Sequence, residues 1–221
     1  MTHDPDAGES LSSIDDSTKA LVQIAGAIAG ADEPVTRQVM ERSVGAVNAS
    51  EVDEVIIQSY LFAGFPRTLN AARIWRSVSQ EPAPHHDPSA VLESSSDWVS
   101  RGVETCRVVY GESYEMLREN IRALHPALDA WMITDGYGKV LSRPGLDLKT
   151  RELCIVAACA ASAQQRQLHS HLHGALNAGA SVSEVSETLE SLSDFVNDAD
   201  IDRYKSLLSH VASRRHPPRS E

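Results

Sequence analysis

An all-α fold is predicted for this chain on three grounds. Apolar residues recur at intervals of three and four along most of its length, as in Val52, Val55, Ile56 and Leu61. No run of strict alternation rich in β-branched residues lasts long enough to form a strand. Helix punctuation recurs at the spacing the periodicity demands, with prolines at starts and glycines at ends.

Taken in order, residues 1–16 (MTHDPDAGESLSSIDD) are acidic and polar and read as a disordered tail. Helices are expected at 17–30, 34–48, 51–62 and 66–79. Pro34 and Pro66 suit first turns, and Gly64 breaks the chain between the last two helices. The stretch SQEPAPHHDPSA (79–90) carries prolines without apolar periodicity and reads as a linker. Helices resume at 91–109 and 112–123. In HPALDAWMITDGYGKVLSRPGLD (125–147), Gly136, Gly138, Pro144 and Gly145 are expected to force turns. Asp147 caps a helix reaching about 162, and a further helix spans 164–178 and stops at Gly179. Ser181 and Glu184 form an S-x-x-E capping box for the next.

The chain also parallels itself. STKALVQIAGAIAG (17–30) matches KTRELCIVAACAAS (149–162), and GAVNASEVDEV (45–55) matches GALNAGASVSEVSET (174–188). A duplicated helical unit is expected: a first repeat at 17–79, a linker and connecting helix at 80–111, a second repeat at 112–212 and a tail at 213–221.

Composition narrows the function. The 221 residues are 42% hydrophobic and 23% charged, as in an ordinary globular protein. A net charge of −11 argues against a nucleic-acid partner, which requires clustered Lys and Arg. No apolar run approaches a membrane span, and the N-terminus lacks the basic start and apolar stretch of a signal peptide. Cys106, Cys154 and Cys159 form no CxxC pair and leave an odd count, so reduced thiols and a cytoplasmic location are expected.

Two helices carry the chemistry. In 148–162, Leu148, Leu153, Ile155, Val156, Ala157, Cys159 and Ala160 point in almost every direction, the pattern of a buried helix. Glu152 sits inside that pattern, and a buried carboxylate must be paired, hydrogen-bonded or protonated. It either pairs with Arg151 or Lys149 at the helix edge or serves as an acid–base group. Cys154 and Cys159 lie in the same helix and read as core residues.

The second is QQRQLHSHLHGALNAGAS (164–181), with His169, His171 and His173 at alternate positions. Leu168, Leu172, Ala175 and Leu176 mark it as a helix, on which a step of two residues turns through roughly 200°. His169 and His173 therefore share one side and His171 points nearly opposite. One ion cannot bind all three, and no HExxH or third ligand accompanies the pair, so no metal is expected. His169 and His173 read as a solvated or interfacial pair. Gln167 precedes His171 by one turn and shares its face. If the two helices pack together, Glu152, His171 and Gln167 form a workable acid–base group.

The stretch RELCIVAACAASAQQRQLHSHLHGALNAGASVSEVSETL resembles the carboxymuconolactone decarboxylase family, the wider group that includes the AhpD alkyl-hydroperoxidase-like proteins. R-E-L, an apolar helix, Q-L-x-x-H, [AG]-A-L-N-x-G and S-x-x-E-V carry the resemblance over about 142–195. YLFAGFPRTLNAA (60–72) also resembles the family's helical core, so both repeats read as AhpD-like units, whereas 80–135 is not placed this way. The resemblance implies a fold that assembles as trimers or hexamers, with its site helices near subunit interfaces. Peroxidases of the group use a CxxC pair twelve and fifteen residues after a glutamate, then a histidine four further on. Gln164 and Gln167 stand at the thiol positions here and His171 at the histidine position, so thiol-based peroxidase chemistry is disfavoured.

The decarboxylase branch lacks the cysteines and keeps the Glu and His. It implies a cofactor-independent decarboxylase acting on a small anionic lactone or keto carboxylic acid. Glu152 or His171 would protonate the carbanion, Gln167 would orient, and Arg151, Arg166, Arg143 or Gln164 would contact the substrate. Ala20 stands where Glu152 does in the first repeat, with Met40 and Arg42 near the histidine positions, so that copy reads as scaffold. A non-catalytic oligomeric binding protein is the alternative, since folds outlive their sites.

Overall fold

A computed structural model describes residues 13–87 and 95–215, and the described residues contain helices and no strand. Most of the proposed tails and part of the linker lie outside them. α1 (Asp16–Gly30) begins where the Asp15 carboxylate accepts the Thr18 N–H, and α2 (Glu33–Ser43) begins on Asp32 with Pro34 in its first turn. α2 stops at Ser43, short of the expected 48, because Gly45 turns the chain at φ +78°.

α3 (Ala49–Ser79) consists of two helical stretches that meet at Gly64, where the break was expected. Gly64, at φ +77° and ψ 162°, has non-helical backbone and interrupts the helix there. Pro66 just beyond has no N–H, so the kink strands one donor fewer.

α4 (Ser95–Tyr110) follows the linker; its expected start at 91 lies outside the described residues. A single tight turn (Gly111–Ser113) leads into α5 (Tyr114–Leu124). α6 (Pro126–Trp131) then runs directly into a π-helical segment, Met132–Leu141. This corrects the expectation that Gly136 and Gly138 force turns. Gly138 lets another helix approach: a Cβ there would lie 1.9 Å from the Trp98 carbonyl oxygen on α4, and one at Gly102 would lie 2.1 Å from that of Ile133. The turn comes later, over 142–147.

α7 (Leu148–Ala161), α8 (Gln165–Asn177), α9 (Val182–Glu190) and α10 (Asp198–Arg215) complete the chain. α8 ends with Gly179 at φ +98°, and Ser181 and Glu184 close the capping box at the start of α9.

At the centre α1 packs against α7. α2 and α3 cover α1, while α8 and α9 cover α7, and α4 lies between α8 and the π-helical segment. Leu153, Ile155 and Val156 of α7 are fully buried, each worth about 1.5–3 kcal/mol relative to exposure. Among the described residues no helix is long and apolar enough to cross a membrane.

Candidate acid–base site

The Asp147 carboxylate accepts the Thr150 N–H and hydroxyl, so α7 starts there and carries Arg151 and Glu152 straight into the core. Both are wholly buried. They do not pair with each other. Arg151 donates to Glu54 Oε2 on α3 at 2.7 Å, to Gln58 Oε1 at 3.3 Å and to the Arg143 carbonyl at 3.0 Å. Glu54 also accepts from Arg143, at 2.6 Å to Oε1 and 2.8 Å to Oε2, and Arg143 in turn holds Asp87 at 2.7 Å. Burial pushes the Glu54 carboxyl upward, but the two guanidiniums together outweigh it and hold the group below the usual carboxylate range. Lys149 reaches Glu184 at 2.9 Å. Both cations expected beside Glu152 are therefore paired elsewhere.

Glu152 instead meets His171, with Oε2 2.8 Å from the ring Nδ1. α8 presents Leu168, Leu172 and Ala175 to the core and brings His171 inward on the same side. Gly174, nearly one turn on, makes the pairing sterically possible, because a Cβ there would lie 2.4 Å from Glu152 Oε2. Phe62, two residues before the α3 kink, meets the His171 ring edge to face at 5.7 Å. The carboxylate's other oxygen, Oε1, is buried and has no hydrogen-bond partner.

A carboxylate at Nδ1 favours the tautomer in which Nδ1–H donates, leaving Nε2 as the acceptor. The pair thus has the elements of an oriented general base, with a spare carboxylate oxygen beside it.

Two tyrosines that the sequence did not single out stand nearby. The rings of Tyr110 on α4 and Tyr137 in the π-helical segment meet edge to face at 6.1 Å. Burial pushes both phenols up, and the Glu152 charge adds to the rise. Tyr110 falls in the insert that the resemblance did not place, and neither tyrosine has a spacing that signals its neighbours.

The other expected residues lie apart from the pair. Gln164, Arg166 and Gln167 are all exposed, because the first turn of α8 emerges from the packed region. Gln167 consequently does not hydrogen-bond His171 or Glu152, which corrects the orienting contact expected from helical register. Arg151 and Arg143 are bound to Glu54, so neither presents a guanidinium at the pair. His169 and His173 contact each other edge to face at 5.1 Å. They line a groove of about 570 Å³ on the other side of α8.

Among the described residues no group of three or more His, Cys, Asp or Glu is arranged to hold a metal ion. Cys106, Cys154 and Cys159 are buried, and burial pushes each thiol up to about 12. Neither Glu152 nor His171 lines any of four cavities found among the described residues.

A search among curated proteins gives no match. Residues 126–199 match the model of the carboxymuconolactone decarboxylase family. That segment runs from α6 to the start of α10 and contains Glu152, His171 and Gly174.

Proposed function

We propose that the chain is a cofactor-independent decarboxylase, or a related enzyme of lactone or keto carboxylic acids, using Glu152 and His171 for proton transfer. The buried 2.8 Å contact between the two residues supports this reading most directly. Loss of CO₂ from such an acid leaves a carbanion or dienolate that needs a proton at one carbon. His171 Nε2 is the group oriented to exchange it, and Glu152 balances the charge that develops on the ring.

As part of the same proposal, α1–α3 is a duplicated copy that keeps the helix order of α7–α9 without its charged pair. Ala20 stands at the place of Glu152, and Met40 is buried where the second copy has polar residues. Peroxidase chemistry is disfavoured, because the buried thiols are held protonated and Gln164 and Gln167 replace the reactive pair. The burial of the pair favours one second reading, a non-catalytic binding protein, since Glu152 is fully buried and His171 nearly so.

The test is CO₂ release from a carboxylated lactone by wild type, Glu152→Gln and His171→Gln. Each substitution is expected to lower kcat about 10²–10⁴-fold while leaving the far-UV spectrum unchanged. Turnover by both variants at the wild-type rate would sink the reading.

A further inference from the structure

We propose that Phe62 is the gate of the Glu152–His171 pair: its ring covers the imidazole through which the pair is reached, and the break in α3 at Gly64 is the hinge on which that ring moves. This rests on the function proposed above and specifies how a buried pair is opened to a ligand.

Burial sets the direction of approach. The Glu152 side chain has no exposure, and that of His171 keeps 7%, so anything reaching the pair comes by way of the imidazole. Nδ1 is taken by Glu152 at 2.8 Å, which leaves the Nε2 edge of the ring. Phe62 meets this ring edge to face at 5.7 Å. It is only half-buried itself, so it stands between the imidazole and solvent. The body of α3 packs on α1, α2 and α7, and Phe62 reaches from it across to α8.

The backbone beside Phe62 is built to give way. Gly64, two residues on, has φ +77° and ψ 162°, a region that essentially only glycine occupies. A Cβ there would touch nothing closer than Pro66 Cδ at 3.8 Å, so the residue is not wedged in place by its neighbours. In an unbroken helix the Phe62 carbonyl would accept the N–H of residue 66. That residue is Pro66, which has none, so no helical hydrogen bond ties Phe62 across the break. Hinges are residues of this kind, at the ends of elements and free to absorb a change in φ and ψ.

A latch spans the hinge. Tyr60 before the break stacks on Phe65 after it, with ring centroids 5.0 Å apart and planes 29° from parallel. Phe65 is 63% exposed, so the stack is a surface contact, and such contacts open far more readily than a packed core.

The test uses the full chain and diethyl pyrocarbonate, which acylates neutral imidazole, with each modified histidine located by peptide mass spectrometry. His169 and His173, on the other side of α8, serve as the internal reference. The buried Cys154 and Cys159 report any general loosening through their uptake of iodoacetamide. In wild type, His171 is expected to react at least about tenfold more slowly than His169. Phe62→Ala should speed His171 about tenfold or more and Phe65→Ala about threefold or more, with His169, His173 and the thiols unchanged. Phe62→Leu, which stays apolar and closer in volume, should act in the same direction and stands in for Phe62→Ala if that variant does not fold.

A wild-type His171 as reactive as His169, an unchanged His171 rate in the Phe62 variants or in Phe65→Ala, or thiols that gain reactivity in step with His171 would each overturn the proposal. Faster His171 acylation in the variants of a chain that releases no CO₂ from any lactone acid would overturn the decarboxylase reading and leave the gate standing. Wild-type turnover together with a His171 rate indifferent to Phe62 would overturn the gate and leave the pair's chemistry intact.

Discussion

Helices α1 and α7 lie side by side at the centre of the molecule and begin alike, each on an aspartate that caps a threonine three residues on. Their interiors differ. α1 buries Leu21, Val22, Ile24 and Ile28, all apolar, whereas α7 buries Arg151 and Glu152 side by side. Adjacent opposite charges on a helix do not face each other, because successive residues diverge by about 100°. Each therefore finds its partner on a different neighbour, Arg151 on α3 and Glu152 on α8. Arg151 meets a carboxylate whose two oxygens are both taken. Glu152 keeps one oxygen without a partner. Arg151 Nε is likewise buried without a partner, so the two differ in what they meet: Arg151 joins a network of charges linking α7 to α3, and Glu152 meets a single imidazole on α8.

The sharpest way to break this contrast is at Glu54. Glu54→Gln removes the charge that balances Arg151 and Arg143, and unfolding in urea should show a loss of about 3–5 kcal/mol. A loss under about 1 kcal/mol would mean that the network is not structural. The same carboxyl predicts a pH dependence. Its folded value is lowered, so its stabilisation is fully present above its unfolded value of about 4.3 and is lost as pH falls through the folded one. Acid unfolding of Glu54→Gln should lack this part of the slope.

Next comes Gly174→Ala. In an ordinary helix interior this change stabilises by about 1 kcal/mol. Here the new methyl overlaps Glu152 Oε2, so thermal unfolding should show a loss of about 1–3 kcal/mol. A gain would show that the carboxylate is not seated against α8.

The thiols sharpen the difference from peroxidase chemistry. With each raised to about 12, the native protein at pH 8 should react with iodoacetamide at least about a thousandfold more slowly than a free cysteine, and all three should label in urea. A rapidly alkylated native cysteine would reverse that conclusion. The smallest effect belongs to Gln167→Ala. As an exposed residue away from the pair, it should change stability by no more than about 0.5 kcal/mol and leave turnover nearly unchanged. A large loss of kcat alone would restore its orienting role.

Much of this was legible in the residues, and the legible parts share a physical scale. The caps at Asp15, Asp147 and Ser181 act across three residues, so spacing alone reveals them. The burial of 148–162 follows from apolar residues around its whole circumference. Helical register separated His171 from His169 and His173, and the structure keeps that separation. Local rules failed where a second helix intervened. Gly138 reads as a turn residue, yet its missing side chain admits the backbone of α4. Gln167 shares the face of His171, but the turn carrying it projects beyond the packed region.

Helix content, helix register and the choice of Glu152 and His171 as candidates came from short-range patterning, because backbone hydrogen bonds and caps span only a few residues. Partnership did not. Arg151 and Glu54 are 97 positions apart, and Glu152 and His171 are 19 apart on separate helices. Which charge meets which depends on how α3, α7 and α8 cross, and that is decided by side-chain packing among helices.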